Sequence, residues 1–531
     1  MKKFIINNYN NRVKIIILLL VFSTSCKKDL LETIPNDRIS TDIFWKTDKD
    51  ATLAANAVYT YLGNAERYFY LDGITDLGHT NLPQSPESLI LKGQFDAFSS
   101  RVQEEWTNAY TGIHSANTFL ANVDKVQSTD PALLPRLKAE VRVLRAYYYI
   151  RLAGLFGDVP LVTTEITLEE SKKLVRTPVV DVWNFIAKEL TESAVILPTV
   201  QKDKGRITKG AALALQARAM LFAGKYPEAA AAAKEVMDLK LYSLYPSYAN
   251  LFSYAAENNA EVIMDIEYLK DSYSNNVFLL MAPFSQLNSQ SRYVPTKKMV
   301  DAYPMLNGKQ ITDPSSGYDV KNPYANRDPR LRYSVFLPGD ILPDNKIYKP
   351  QPGSGTTDAV GSSFQSTNTG FNLKKYINKE DLVQTSNGGI NLILVRYAEV
   401  LLIYAEAKTE LGQIDQTVLD AFNLLRKRSD VNMPIVTTVV QAELKNIIRN
   451  ERVVELAYES LRLFDIRRWK IAEQVMPGTI QGLTYTDNAG NVQTVEVQAW
   501  VNIFNKNRDY LWPIPQKERD LNPSLTQNPN W

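Results

Sequence analysis

Residues 210–241 read GAALALQARAMLFAGKYPEAAAAAKEVMDLKL, and this stretch decides the fold class of the chain. Small residues recur at helical spacing, as at Ala214 and Ala217, and a Gly-Lys-Tyr turn that starts at Gly224 divides the stretch in two. Small side chains let two helices approach closely, and Tyr226 after the turn fills the wedge between them. The stretch therefore predicts two packed helices joined by a short turn.

A weaker version of this pattern occurs at Ala398, Leu402, Ala405, Gly412 and Ala421. Both stretches are similar to tetratricopeptide-type helix pairs, although the remaining helices show no clean period of about 34 residues. We therefore predict a mostly α-helical protein in which divergent tetratricopeptide-like helix pairs form a scaffold.

Between the helical parts the chain changes character. Glu261–Ile266 predicts a short strand, and long loops rich in Pro, Gly, Ser and Asn follow, above all at 338–370. Alternation within 478–510 predicts a small hairpin. We expect one domain over 26–531, with an irregular, loop-rich region carrying a few short strands. Its predicted parts are a helical scaffold at about 40–245 and 391–475, the irregular region at about 246–390, and a C-terminal segment at 476–531.

Composition excludes several classes of function. The chain has 60 Lys and Arg against 58 Asp and Glu, so no global basic field attracts nucleic acid. Two histidines and one cysteine exclude a disulfide framework and a Cys/His zinc site. We predict no metal ligands, and the sequence leaves open whether carboxylates hold a structural calcium ion. The chain contains no G-x-S-x-G elbow, Walker loop or H-E-x-x-H motif.

The first 25 residues are typical of a lipoprotein signal peptide. A basic start is followed by the apolar run at 15–22, which is too short to span a bilayer of roughly 30 Å. The only cysteine, Cys26, comes directly after this segment and is the expected lipidation site. Ordinary secretion, with Cys26 removed along with the signal, is the alternative.

Seven segments, in order, resemble the SusD/RagB family of outer-membrane nutrient-binding lipoproteins across almost the full mature length. Ser460 departs from the family pattern, which usually has Gly there. The segments are FWKTDKDATLAANAVY (44–59), AEVRVLRAYYYIRLAGLFGDVPLV (139–162), GRITKGAALALQARAML (205–221), RDPRL (327–331), RYAEVLLIYAEA (396–407), NERVVELAYESLRLFDIRRW (450–469) and LWPIPQKERDLNPSLTQNPNW (511–531).

The resemblance implies a non-catalytic protein that is anchored by lipid to the outer membrane and faces the cell exterior. Such proteins capture a nutrient for a TonB-dependent transporter barrel, and the ligand is an oligosaccharide in most cases and an oligopeptide in some. A helical scaffold of a surface complex without a small ligand is a further alternative. No cofactor is expected.

The charged residues of the segment at 450–469 and its flank predict one amphipathic helix whose interlocking ion pairs fix its packing. Because acidic and basic residues alternate there, we favour this structural role over a polyanion site. The residues are Arg449, Arg452, Glu455, Glu459, Arg462, Asp465 and Arg468.

The resemblance implies that the ligand site is built, as in relatives, by the loop after the first helix and by the irregular middle region. A sugar ring calls for an aromatic face with hydrogen-bonding side chains beside it. The Tyr68–Tyr70 run is either such a platform for the ligand or a helix end that buries its rings. His79 either contacts the ligand or is a loop residue whose hydrogen bonds are made within the protein. The candidate ligand-binding residues are Tyr68, Tyr70, Asp72, Asp76, His79, Asn81, Arg292, Tyr293 and Tyr324, with Phe95, Tyr303 and Tyr318 nearby in sequence.

Overall fold

The structure, a computed structural model, describes residues 44–531, with the backbone alone described at 498–500. The predicted signal peptide (1–25), Cys26 and the start of the predicted domain lie outside these residues. Within the described chain, no helix combines the length and apolarity needed to cross a bilayer.

Helices dominate both parts of the predicted scaffold. The N-terminal part contains α1 (Asp48–Tyr59), α2 (Ala65–Phe69), α3 (Pro86–Leu91), α4 (Ser100–Asn122), α5 (Leu133–Phe156), α6 (Leu168–Ser171), α7 (Val179–Ile196), α8 (Lys209–Phe222) and α9 (Tyr226–Asp238). The rest of the chain contains α10 (Val277–Met281), α11 (Lys297–Ala302), α12 (Arg330–Ser334), α13 (Tyr397–Glu410), α14 (Gln416–Arg426), α15 (Gln441–Glu455), α16 (Arg462–Arg468), α17 (Ala472–Val475) and α18 (Gln516–Leu521).

The long helices form a continuous stack. Helices α4, α5, α7, α8, α9 and α13 each pack against the next, α14 and α15 both pack on α13, and α1 lies against α4 and α5. The predicted pair within 210–241 is α8 and α9, and Gly224 turns the chain between them at φ +71°. Gly412 does the same between α13 and α14 at φ +70°. The predicted mostly helical fold class is confirmed.

The strand pairs of the described residues are antiparallel, and most of them are short. Strand β1 (Gly78–Thr80) pairs with β3 (Tyr293–Pro295), and β2 (Val262–Ile266) pairs with β6 (Leu392–Arg396). The strand predicted at Glu261–Ile266 is therefore confirmed as β2. The remaining pairs are β4 (Val335–Phe336) with β5 (Asn372–Leu373), and the predicted hairpin of β7 (Gly478–Thr486) with β8 (Val492–Asn502).

The segment at 450–469 is not one helix as its charge pattern predicted. Helix α15 ends at Glu455 and α16 starts at Arg462, because Tyr458 and Ser460 between them adopt φ of +57° and +65°. This left-handed backbone suits glycine best, so a serine at position 460 needs other contacts to hold it. Ser460 is held there by bonds from its backbone N–H to Asp72 (2.7 Å) and from its hydroxyl to the carbonyl of Tyr68.

The ion pairs expected from this segment are present and deeply buried. The Glu455 carboxylate accepts hydrogen bonds from Arg330 (2.8 Å), Arg396 (2.8 Å) and Arg428 (2.9 Å). Burial alone would raise the pKa of Glu455, but the three guanidinium groups outweigh it and hold the pKa well below its usual range. We name the connected set the Glu455 network: Glu261, Asp328, Glu451, Glu455 and Glu459 with Arg330, Lys375, Arg396, Arg426 and Arg428.

Candidate functional site

The two regions that carry the predicted site residues meet in space. Strand β1 pairs with β3, which places His79 opposite Val294 and Thr80 opposite Tyr293. Asn81 extends this contact to a third segment, because its side-chain amide donates to the carbonyl of Ser366 (2.6 Å) and accepts from the N–H of Asn368 (2.9 Å). We name the surface formed by residues 79–92, 284–292 and 338–370 the three-loop surface.

The predicted aromatic platform is buried in this structure. Tyr68, Tyr70 and Tyr293 all lie in the core. The Tyr68 hydroxyl donates to the carbonyl of Ile393 (2.7 Å), and the Tyr70 ring lies 4.5 Å below the Arg101 guanidinium. The cavity beside Tyr68 has a volume of about 40 Å³, which is too small for a sugar ring. These three rings pack the fold, and none exposes a face to solvent.

The polar residues predicted after the first helix are also buried. Asp72 accepts from the N–H of Ser460, and burial raises the pKa of its carboxyl to about 7. Asp76 forms a bidentate pair with Arg462 at 2.7 and 2.9 Å. Burial lowers the pKa of His79 to about 3, which keeps the imidazole neutral at physiological pH. Asp72 and Asp76 thus join the loop to the segment after α15.

The remaining candidates are only half-buried. The Arg292 guanidinium lies over the Tyr293 ring, 6.0 Å from its centroid, and the Tyr324 hydroxyl donates to the carbonyl of Thr484 (3.0 Å). Among nearby residues, Phe95 and Tyr303 are buried and Tyr318 is half-buried. The aromatic ring that the three-loop surface does expose is Phe364, which is 77% exposed.

A larger open hollow lies on the scaffold side of the molecule, and we name it the Tyr273 cleft. It has a volume of about 560 Å³ and is bounded by the C-terminal end of α1, the segment at 203–206, and the end of β2 with the turn that follows it. A second hollow of about 360 Å³ adjoins it and shares Asp265 and the segment at 203–206. This size lies within the range of about 300–1,000 Å³ that small-ligand sites occupy.

A pair of stacked tyrosines forms one edge of the cleft. Tyr268 and Tyr273 have ring centroids 5.4 Å apart and planes within 10° of each other. Tyr273 is 49% exposed, and because one of its faces lies on Tyr268, the opposite face is open. The cleft thus presents a supported aromatic face of the kind that the C–H side of a sugar ring contacts.

The turn that carries Tyr273 is fixed by hydrogen bonds. Leu269 and Tyr273 exchange two backbone bonds of 2.9 Å. The N–H of Asp271 donates to the side-chain oxygen of Asn387 (3.0 Å), whose amide donates back to the Asp271 carboxylate (2.6 Å). The aromatic face is therefore held in position before any ligand arrives.

The opposite wall of the cleft is held by a buried carboxylate. Glu140 accepts from the Tyr59 hydroxyl (2.8 Å) and from the Arg206 guanidinium (2.8 Å), which also donates to Asn56 (2.8 Å). The N–H of Ile207 donates to the Tyr59 hydroxyl (3.1 Å). Polar groups on this wall are thus fixed in place, as a recognition site requires.

The floor of the cleft is acidic. Asp265 and Glu267 lie two residues apart, a spacing that places both side chains on the same side of an extended chain. Burial, together with the neighbouring Glu267 and Glu257 carboxylates, raises the pKa of Asp265 to about 7. Among the described residues, no Lys, Arg or His forms an ion pair with Asp265, Glu267 or Glu257.

Sequence reasoning missed this cleft. The stretch EYLKDSYSNN at 267–276 places two tyrosines among polar residues just after a predicted strand. This pattern is typical of an exposed aromatic loop and could have indicated the site. The other walls come from residues near 56 and near 205, which only the fold brings to the same place.

The fold and the cleft define a helical-repeat protein with an open, aromatic-edged hollow. The family model described as SusD family matches residues 260–531, about half of the chain. A second model, described as starch-binding associating with outer membrane, matches residues 76–221. The chain belongs to the SusD family.

Individual relatives agree with this assignment. A SusD-like protein of Formosa agariphila is 25% identical over 565 residues, which is 97% of this chain and 97% of that protein. A SusD-like carbohydrate-binding protein from Bacteroides fragilis has a TM-score of 0.84 at 29% identity, covering 91% of this chain and 100% of that chain. A laminarin-binding SusD-like protein has the same fold, with a TM-score of 0.72 at 22% identity over 92% of this chain and 100% of that one.

Proposed function

We propose that the chain is a non-catalytic glycan-binding protein that captures an oligosaccharide in the Tyr273 cleft. The observation that carries this proposal is the half-exposed Tyr273 ring, which is stacked on Tyr268 at the edge of an open hollow of about 560 Å³. A sugar needs an apolar contact for its C–H face and polar groups for its hydroxyls. The B. fragilis relative, described as carbohydrate-binding, supports the same ligand class.

Fixed polar groups provide the second half of this recognition. The Arg206 and Asn56 side chains are positioned through Glu140 on one wall, and the Asp265 and Glu267 carboxylates lie on the floor. Since Arg206 and Asn56 are held by bonds that do not involve a ligand, their use in binding costs little side-chain ordering. The cleft is open, so one end of a longer glycan extends out of it.

The place of the protein at the cell surface is also a proposal. The signal peptide at 1–25 directs the chain outward, lipidation of Cys26 anchors it to the outer membrane, and the bound glycan passes to a TonB-dependent transporter. The family model described as associating with outer membrane supports this location. Labelled palmitate should enter the wild-type protein and be absent from Cys26→Ala. Incorporation into that variant would contradict the anchor.

Binding without cleavage is part of the proposal. Hydrolysis of a glycosidic bond requires two carboxyl groups about 5–10 Å apart on either side of that bond. Asp265 is instead only 7% exposed, and Asp203 on the facing segment lies 3.6 Å from the Arg206 guanidinium. Prolonged incubation with the bound polysaccharide should release no new reducing ends, and their enzyme-dependent release would contradict the proposal.

The location of the site is tested with two matched aromatic variants. Tyr273→Ala removes the stacked ring of the cleft, and Phe364→Ala removes the exposed ring of the three-loop surface. We expect affinity electrophoresis and calorimetry on the protein lacking residues 1–26 to show at least about a fivefold loss of affinity for Tyr273→Ala, since stacking on an exposed aromatic ring contributes about 1–3 kcal/mol. Phe364→Ala should bind like the wild type.

The opposite pattern would move the site to the three-loop surface. Binding of peptide mixtures without any glycan would replace the glycan ligand by an oligopeptide.

A further inference from the structure

We infer that the Tyr273 cleft selects uncharged, hydroxyl-rich glycans and rejects glycans that carry carboxylate or sulfate groups. The inference rests on the proposed function and adds the chemical class of the ligand. It depends on which charges in the cleft are already paired and which are not.

The acidic groups of the floor are unpaired. Asp265 is 7% exposed, and its carboxylate accepts a long hydrogen bond of 3.4 Å from the amide of Asn391. One oxygen of Glu267, Oε1, is buried without a hydrogen-bond partner among the described residues. The nearby Glu257 carboxylate accepts the backbone N–H of Asn391 at 2.9 Å. A buried acceptor without a donor costs free energy, and a ligand hydroxyl removes that cost.

The backbone beside the floor makes room for the Glu267 carboxylate. Gly205 adopts φ +75°, and a Cβ at this position would lie 3.0 Å from Glu267 Oε2. The carboxylate thus rests against the chain that forms the opposite wall, inside the cleft and not at its rim.

The cations of the cleft do not balance this floor. Arg206 is engaged by Glu140 at 2.8 Å and lies 3.6 Å from Asp203. Lys204 is exposed to solvent and forms no ion pair among the described residues. The cleft lining therefore holds three carboxylates, Asp203, Asp265 and Glu267, against two cations, of which Arg206 is already held by Glu140.

These charges distinguish two kinds of glycan. The hydroxyls of a neutral sugar donate to the floor carboxylates and remove the unpaired acceptors. A uronate or sulfate group brings a further negative charge into the same partly dehydrated hollow, where carboxylates already outnumber cations. Selection by repulsion of the wrong ligand is a general route to specificity.

The test compares the wild type with the double variant Asp265→Asn/Glu267→Gln. Affinity electrophoresis on laminarin, xyloglucan, galactomannan and starch is run beside alginate, pectate, carrageenan and chondroitin sulfate. We expect at least one neutral polysaccharide and none of the anionic ones to retard the wild type. The double variant should bind the carboxymethylated form of the bound neutral glycan at least tenfold more tightly than the wild type does. Glu235→Gln, an exposed charge removal on α9, should leave discrimination unchanged.

Three results overturn the inference in distinguishable ways. Retardation by an anionic polysaccharide that is lost in Tyr273→Ala keeps the cleft as the site but removes the selection. Unchanged discrimination in the double variant, with thermal unfolding showing a folded protein, removes the acidic floor as its cause. No retardation by any polysaccharide removes the proposed function and the inference together.

Discussion

The Glu455 network and the floor of the Tyr273 cleft both concentrate carboxylates, but their partners differ. Glu455 is fully buried and bonded to three arginines, whereas Asp265, nearly as buried, forms no ion pair among the described residues. The pKa of Glu455 is accordingly held well below its usual range, and that of Asp265 is raised to about 7. Paired charges of this kind fix how helices pack, while unpaired ones remain available to a ligand.

Breaking the network should have the largest effect. Glu455→Gln removes the negative charge between Arg330, Arg396 and Arg428 and leaves three buried guanidinium groups without their shared partner. We expect the free energy of unfolding to fall by about 3–5 kcal/mol in urea denaturation.

Glu235→Gln is the matched control, because this glutamate is exposed on α9, and its effect should stay within about 0.5 kcal/mol. A loss below about 1 kcal/mol for Glu455→Gln would mean that the network does not hold the fold.

The acidic floor of the Tyr273 cleft should make the stability of the protein depend on pH, with ionisation of Asp265 disfavouring the folded state. Asp265 has a folded pKa of about 7 against 3.8 for an unperturbed carboxyl, so the folded state binds this proton more tightly than the unfolded state. Ionised Asp265 therefore costs stability above pH 7, and the cost shrinks as the pH falls toward 4. Asp265→Asn should be more stable than the wild type at pH 8, and this advantage should be smaller by about 2 kcal/mol at pH 5.

Urea unfolding at the two pH values measures this difference. An advantage that does not change with pH would show that Asp265 is not the titrating group.

The smallest expected change in stability comes from a pair of glycine variants, which also test whether Glu267 belongs to the ligand site. Gly205 and Gly224 both adopt left-handed backbone, at φ +75° and +71°, so replacement by Ala should cost each about 1 kcal/mol of stability. Only at Gly205 does the added Cβ meet the Glu267 carboxylate, whereas at Gly224 it meets open space. Gly205→Ala alone should weaken glycan binding in calorimetry, and equal binding by the two variants would contradict the placement of Glu267 in the site.

The scaffold could be predicted because its signals are local. Small residues at helical spacing and a turn glycine lie within one stretch, and α8, Gly224 and α9 follow it closely. The break between α15 and α16 could not be read from charge periodicity, because a left-handed backbone at Tyr458 and Ser460 leaves the spacing of charges unchanged.

The candidate site could be predicted less well, for a related reason. The stretch SQLNSQSRY before β3 is polar, which favours exposure, yet pairing with β1 more than 200 residues away buries Tyr293. The Tyr273 cleft likewise depends on three segments far apart in sequence, at α1, at 203–206 and at the end of β2. Long-range pairing decided which aromatic rings are covered and which stay open.

The most direct test of the account is the crystal structure of the protein with an oligosaccharide cut from the neutral polysaccharide that retards it. We expect a sugar ring against the open face of Tyr273, with a hydroxyl about 2.7 Å from a carboxylate oxygen of Glu267 or Asp265. A sugar bound instead beside Phe364 on the three-loop surface, with the cleft empty, would contradict the account.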